Sequence, residues 1–423
     1  MDLAYNLIIA AVLVLLSPYW GIRMAVDPAF RDEILIRVRN WKTVPRLNRS
    51  LWIHASSVGE VRVAQILIRA LQRDYPDRSI VLSTFTATGQ ELAGEQPNIT
   101  VFRLPLDLRV LVRPLIKRLD PAVLILIEAE YWPNLLRLCG QRNIPVLLAN
   151  GRLSERSLTR YQKLKPWFLW LTEPVSLFAM RSQTEADRLA QLGISKDRIR
   201  VTGNMKYDAL PAGASREPAS LSENGEITVV FGSTRPGEEA AIAKAVSQLN
   251  QNPLNYKFII APRHVQRCGE VKDILERSQL SVTLLSELEH SRERWTAPVL
   301  LVDRLGVLGE YYQKGNIAFV GGGFDAKHGG HNILEPALLG LPVLYGRHMA
   351  NFEEEARLLA DSGGGIPLDR LEQLAGALES LLINPAEIRR RGRLAAETVQ
   401  RQQGAVVRNL ELIQSLLEKG STT

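Results

Sequence analysis

Past Trp52 the apolar positions fall into short, nearly unbroken runs separated by stretches in which they recur every three or four residues. Runs at 52–56, 80–85, 101–104, 123–127, 145–149, 177–180 and 199–202 are mostly Val, Ile, Leu or Phe without strict alternation. That is the pattern of parallel strands covered on both faces. Helical periodicity fills the gaps, for example at 64–73 and 185–192. The series predicts a βαβ arrangement and a doubly wound α/β sheet. A second series follows at 228–231, 258–261, 282–285, 299–302, 317–320 and 342–345, and the chain closes in a helical tract over 386–419 interrupted by Gly392 and Gly404. Residues 210–226 lack aromatics and are rich in Ala, Gly, Ser, Pro and Glu, the composition of a linker. Two Rossmann-like domains are therefore expected, 23–209 and 227–423, the second including the long carboxyl-terminal tract.

Residues 7–16 are all apolar, and a looser greasy stretch runs from 3 to 20, broken by Tyr5, Asn6, Ser17 and Pro18. Asp2 is the only charged side chain before it; Arg23, Arg31, Arg37, Arg39, Lys42, Arg46 and Arg49 follow it. A cleaved signal normally begins with a basic region, and the positive-inside rule leaves the main body in the cytoplasm. Residues 1–22 are read as an uncleaved anchor in the inner membrane. The basic run suits acidic headgroups, and equally a solvated helix face.

With 46% hydrophobic and 23% charged residues the chain can build large cores, which excludes disordered and collagen-like classes. Cys139 and Cys268 are too few for a disulfide framework and fit no zinc spacing. The net charge of +7 permits nucleic acid, an anionic membrane or a phosphorylated substrate. The aromatics do not interleave with basic residues as a nucleic-acid stacking platform would. No nucleic-acid partner is expected.

Chemistry on such sheets sits just after the strands. His54-Ala55-Ser56-Ser57-Val58-Gly59-Glu60 opens a helix: Gly59 permits a tight turn, and Glu60 either complements the helix start in a capping arrangement with Ser57 or serves chemistry. Glu128 and Glu130, two apart on an extended chain, point the same way and either converge on one site or are solvated loop acids. Lys206 ends the first half, where it can neutralise a leaving phosphate. In the second half, 231–239 is a strand–turn–helix in which Ser233 and Thr234 suit a phosphate, although it is no Walker sequence. Arg263 and His264 end the next strand and can grip a phosphate or stack on a base. Gly321-Gly322-Gly323 precedes Gly329-Gly330-His331-Asn332-Ile333-Leu334-Glu335-Pro336-Ala337, where Asn332 and Glu335 are placed three apart on a new helical turn, facing one way. His328, His331 and His348 lack an acidic partner in any recognisable metal pattern, and no metal is expected.

In this order and behind a greasy amino terminus, 54–60, 128–134, 232–239, 261–264 and 330–337 resemble the bacterial 3-deoxy-D-manno-octulosonic acid (Kdo) transferases of lipopolysaccharide core biosynthesis. The resemblance spans nearly the whole chain. It implies a GT-B glycosyltransferase with two facing Rossmann-like domains, inverting, without a cofactor or bound metal, moving Kdo from CMP-Kdo to lipid IVA or a related lipid acceptor. It implies Glu60 as general base, with Glu130 and Lys206 stabilising the transition state and Ser57, Gly59 and Glu128 on the acceptor side. CMP contacts fall on Arg263, His264, Asn332, Ile333, Leu334 and Glu335, and on the tripeptide Leu305, Gly306, Val307. Departures lie in the donor half. Val307 stands where a Glu is usual, with Gly309-Glu310 offering a similar pair three residues on. Arg235 replaces a His, Ile333 and Arg347 each replace a Pro, and 324–328 is one residue longer. A GT-B enzyme using another nucleotide sugar on a lipid, and a catalytically silent nucleotide-binding scaffold at the membrane, fit the same outline.

Overall fold

The computed structural model describes residues 1–94, 96–209, 226–250, 256–291 and 295–419. The chain forms two compact units, residues 1–209 with 403–423 and residues 210–402. The first holds β1 (Ser50–His54), β2 (Ile80–Thr84), β3 (Thr100–Arg103), β4 (Pro121–Ile127), β5 (Val146–Gly151), β6 (Leu177–Met180) and β7 (Ile199–Val201). They form one parallel sheet in the order β3-β2-β1-β4-β5-β6-β7. Alternate residues feed opposite faces, and both faces are buried. Trp52, Leu124, Leu126 and Leu148 enter one core, and Leu51, Ile53, Val123, Ile125 and Leu147 the other. This is why the sequence runs are apolar without alternation.

The second unit repeats the plan with β8 (Ile227–Thr234), β9 (Tyr256–Pro262), β10 (Val282–Leu284), β11 (Val299–Leu301), β12 (Ile317–Val320), β13 (Val343–Gly346) and β14 (Gly365–Leu368). Their order is β10-β11-β9-β8-β12-β13-β14, again all parallel. Phe231 lies between Phe258 and Phe319, at ring-centroid distances of 6.5 and 5.7 Å, in its core. Every strand run expected from sequence is present; β14 is additional. The linker expected at 210–226 lies outside the described residues but for Glu226.

The carboxyl-terminal tract departs from expectation. Helix Pro385–Gln402 stays with the second unit, buried through Ile388, Ala395 and Val399, and Gly392 does not interrupt it. Gly404, at φ +93°, breaks the tract. Helix Ala405–Lys419 then returns to the first unit, adding Leu410, Ile413, Leu416 and Leu417 to its core. The Asp208 carboxylate accepts from the Gly404 and Val406 amides at 2.7 and 2.6 Å, and Arg408 Nε donates to the Thr202 carbonyl. The second domain therefore ends near Gln402, because an apolar stripe after the glycine is complementary to the first sheet's uncovered face.

The amino-terminal helix runs over Asp2–Val26 with no buried residue. Its first turn is tied to the first unit: Trp170 Nε1 donates to Asp2 at 2.8 Å, and Tyr5 Oη donates to Asp107 at 3.0 Å. A second helix, Pro28–Arg39, is capped by Asp27 and docks through Arg37 and Glu33, with Glu33 also pairing with Arg103.

Candidate functional site

Each sheet reverses its winding once, between β1 and β4 in the first unit and between β8 and β12 in the second. Strand ends at such a reversal splay their loops apart and leave a crevice for a ligand. The candidate residues cluster on the loops that follow those strands.

In the first unit, Ser57 caps helix Val58–Asp74, its side chain accepting from the Glu60 amide. Glu60 turns back over this start: its carboxylate accepts from the Ser56 amide at 2.7 Å and from the Ser57 hydroxyl at 2.9 Å. Both readings of Glu60 are compatible, since capping fixes its rotamer. Burial raises its pKa to about 7, helped by the nearby Glu130 and Glu128 charges and opposed by the two hydrogen bonds. Glu130 goes the other way. Burial pushes it up, but hydrogen bonds from His54, Ser56 and Trp132 outweigh that and hold it below its ordinary value. Trp132 Nε1 donates to it at 3.0 Å. Two neighbouring carboxyls are thus held in different protonation states, the arrangement that separates a proton acceptor from a permanent anion.

Glu128 sits at φ +65°, so the chain is not extended there and the i, i+2 argument for its pairing with Glu130 does not apply. The two acids nevertheless act on the same neighbour, Glu60. Gly59 is exposed and a Cβ there would meet only Ser57 Oγ at 3.9 Å, so no close approach requires glycine. Lys206, half-buried, lies on the turn Met205–Asp208, which packs against the helix that Glu60 opens. That turn is held by Asn150 Oδ1, which accepts from the Met205 amide at 2.9 Å.

In the second unit, β8 runs into the turn before helix Glu238–Leu249. Ser233 adopts φ +55°. The helix start is already supplied with carboxylates. Glu238 accepts from the Arg235 and Gly322 amides at 2.9 and 2.8 Å, and burial raises its pKa to about 7. Thr234 is buried and its hydroxyl donates to Glu239, which also pairs with Arg267. Thr234 is therefore a structural donor here, in contrast to the expected phosphate contact. Positive charge comes instead from side chains around the turn. Arg235 Nε donates to His331 Nε2 at 3.0 Å, and its Nη1 lies 3.0 Å from His264 Nε2. Burial, with Arg235 and Arg263 close by, lowers the His331 pKa to about 4, which keeps that ring a neutral acceptor.

Ser233, Arg263, Leu305 and Gly306 line one concavity after β8, β9 and β11, together with Pro262 and Leu308. Val307 precedes helix Leu308–Lys314 and is not among its lining residues. Asn332 and Glu335 do not share a helical face. Helix Leu334–Leu338 begins after Asn332, whose Oδ1 accepts from the Leu334 amide. Glu335 is packed so close to Gly309 that a Cβ there would lie 2.6 Å from its Oε1, and burial raises its pKa. Ile333 and Leu334 are buried. Gly323 is required by contact, since its Cβ would fall 2.8 Å from the Gly346 amide. Among the described residues no group of three metal-ligating side chains converges. Sequence reasoning passed over His54, Ser56, Trp132, Glu238 and Arg267. Only the first three had a signal, being neighbours of acids already singled out.

Comparison with known proteins follows the same lines. The family model described as 3-Deoxy-D-manno-octulosonic-acid transferase (kdotransferase) matches residues 32–209. The 3-deoxy-D-manno-octulosonic acid transferase of Haemophilus influenzae is 35% identical over 88% of this chain and 88% of its own. That of Chlamydophila psittaci is 30% identical over 81% and 80%. Among solved structures, MurG from Acinetobacter baumannii superposes with a TM-score of 0.57 at 12% identity, covering 87% of this chain and 99% of its own. A putative UDP-N-acetylglucosamine 2-epimerase from Listeria monocytogenes gives 0.56 at 14%, covering 88% and 97%. These two share the fold alone. The chain belongs to the 3-deoxy-D-manno-octulosonic acid transferase family and is a glycosyltransferase of the GT-B class.

Proposed function

We propose that this enzyme transfers Kdo from CMP-Kdo to lipid IVA, or a closely related acylated and phosphorylated disaccharide, at the cytoplasmic face of the inner membrane during lipopolysaccharide synthesis, with inversion and without a resident metal. The observation that carries the reading is the divergence of Glu60 and Glu130, one carboxyl raised to about 7 and its neighbour held ionised. An acceptor hydroxyl has a pKa far above 7 and must lose its proton as it attacks, so a base titrating near the working pH is matched to the step. Glu60 accepts that proton while the hydroxyl oxygen bonds to the anomeric carbon and the bond to the CMP phosphate breaks, its electron pair leaving with CMP. Glu130 remains an anion and favours positive charge developing on the sugar, and Lys206 offsets charge on the departing phosphate. Ser233, Arg263 and His264 hold the nucleotide, and the Leu305–Gly306 turn borders it.

Purified protein incubated with CMP-Kdo and lipid IVA is expected to yield a lipid heavier by whole Kdo residues, read by mass spectrometry. CMP is expected to raise the melting temperature more than UDP, since a ligand stabilises the state it binds. No mass increase, or stabilisation by UDP alone, overturns the assignment of donor and acceptor. Glu60→Gln is expected to lower transfer by about 10²–10⁴-fold with CMP-Kdo affinity nearly unchanged. Arg263→Ala is expected chiefly to weaken CMP-Kdo binding.

A further inference from the structure

His54 is wholly buried at the end of β1, and no part of the proposed chemistry uses it. A buried imidazole needs a partner for each nitrogen, and the partners here are unequal. On one side Nδ1 lies 3.1 Å from the Ser83 carbonyl oxygen and 2.9 Å from Ser83 Oγ. That carbonyl can only accept, and Ser83 Oγ already receives the Trp52 indole N–H at 2.8 Å and faces the Ile53 carbonyl. Both directions place the ring proton on Nδ1. The ring is thereby pinned to β2, and Nε2 is presented to the site, 3.2 Å from Ser56 Oγ and 3.7 Å from Glu130 Oε2. Trp132, itself bonded to Glu130, packs edge-on against the imidazole at 5.9 Å. Ser56 completes the link, since its amide donates to Glu60.

We propose that His54 is a positioning residue for transfer: anchored by Ser83, its Nε2 edge fixes the Glu130 carboxylate and the Ser56 hydroxyl, and so sets the spacing of Glu130 from Glu60. The proposal rests on the role of the Glu60–Glu130 pair given above. Charged groups on the surrounding elements are Glu60 on the helix after β1, Glu128 and Glu130 after β4, Lys206 on the turn against that helix, and Arg37, which donates to the Phe85 carbonyl beyond β2. Of these, Glu130 is the one paired with the ring.

Two variants separate positioning from mere structure. Gln places its amide nitrogen near Nε2 and can still reach Glu130, whereas Asn reaches only the Ser83 side. His54→Asn is expected to lower kcat by about 10²-fold, the scale of a misplaced catalytic group, with KM for CMP-Kdo unchanged. It also shifts the acid limb of kcat/KM to higher pH, because a Glu130 deprived of its partner takes up the proton that otherwise resides on Glu60. His54→Gln is expected to recover at least tenfold of that loss. Equal activity of the two variants with an unmoved limb would overturn the proposal and leave His54 a strand-bridging residue. Carbon-13 NMR of the glutamate carboxyls, with Glu130→Gln for assignment, reads the same effect without turnover: in His54→Asn the Glu130 signal titrates at higher pH than in the wild type. An unmoved signal overturns the positioning role. Absent wild-type transfer would instead overturn the donor and acceptor assignment. Should His54→Asn not fold, Ser83→Ala, which keeps the imidazole but loosens its pin, is expected to shift the limb in the same direction, and an unmoved limb there also overturns the proposal.

Discussion

Glu60 shows at one residue how a fold accepts instability for chemistry. Its carboxyl titrates at about 7 in the folded protein, above its ordinary value of 4.5. Between those values the unfolded chain has released a proton that the native state keeps. The native state is therefore favoured below about 4.5, and that contribution is lost as pH rises through 7. Glu60→Gln is accordingly expected to be more stable than wild type at pH 8 by roughly 1–2 kcal/mol, less than the full shift because the carboxyl is partly in water. Urea denaturation at pH 4.5 and pH 8 checks this, the difference shrinking at the lower pH. The same titration predicts that kcat/KM falls on the acid side of about pH 7, where the proton acceptor is already occupied. At this scale the sequence was partly legible. Glu60 and Glu130 stand out because they follow apolar strands. The sign of each pKa shift does not, because it depends on His54 and Trp132, which reach Glu130 from β1 and from two residues along its own loop. Glu128 was misread in conformation, since nothing in its type announces φ +65°. Thr234 was misread in partner, its hydroxyl being taken by a glutamate five residues on.

Elements were more legible than contacts. Thirteen apolar runs read as strands and became β1 to β13, because a strand buried on both faces cannot hide its composition. The exception, β14, has the sequence Gly-Ile-Pro-Leu and pairs only with β13. Proline and glycine are tolerated at a sheet edge, and they mask the run. The helix Ala405–Lys419 was foreseen as a helix but assigned to the wrong unit, since an amphipathic stripe says that a face is covered and not by what. Its contribution can be measured. Ile413 is fully buried in the first unit's core, and Ile413→Ala is expected to cost about 2–5 kcal/mol. Val407, on the same helix but exposed, is expected to tolerate Ala within about 0.5 kcal/mol. The helix start also bonds Tyr207 and Asp208, the residues after Lys206. Ending the chain at Gln402 is therefore expected to reduce transfer and stability together, measured by product mass and by denaturation, while CMP binding in the second unit is spared.

Two units with the same sheet order assign one task to each reversal of strand winding: carboxylates after β1 and β4, cations after β8 and β9. A lipid acceptor adds a requirement that neither sheet meets, which is to work at a bilayer. The amino-terminal helix is suited to it. Twenty-five residues at about 1.5 Å each extend roughly 37 Å, against roughly 30 Å of hydrocarbon. Leu3, Leu7, Ile8, Val14, Leu15 and Ile22 are all exposed. In water such a surface is unfavourable by about 25 cal/mol for each Å², so lipid is its natural cover, and the arginines that follow it complement acidic headgroups. The helix is also tied inward, because Asp107, which receives the Tyr5 hydroxyl, accepts from the amides of Asn134 and Leu135 just beyond the Glu130 loop. Removing residues 1–26 is thus expected to have two separable effects. The protein should leave the membrane fraction without detergent, and transfer to acceptor embedded in vesicles should fall much more than transfer to acceptor dispersed in detergent. A modest loss should persist in detergent, from the loosened cap at Asp107, and Tyr5→Phe in the full chain should reproduce that loss alone while remaining membrane-bound. A truncated protein that still sediments with membranes, or equal losses in vesicles and detergent, would show that the bilayer is engaged by some other surface.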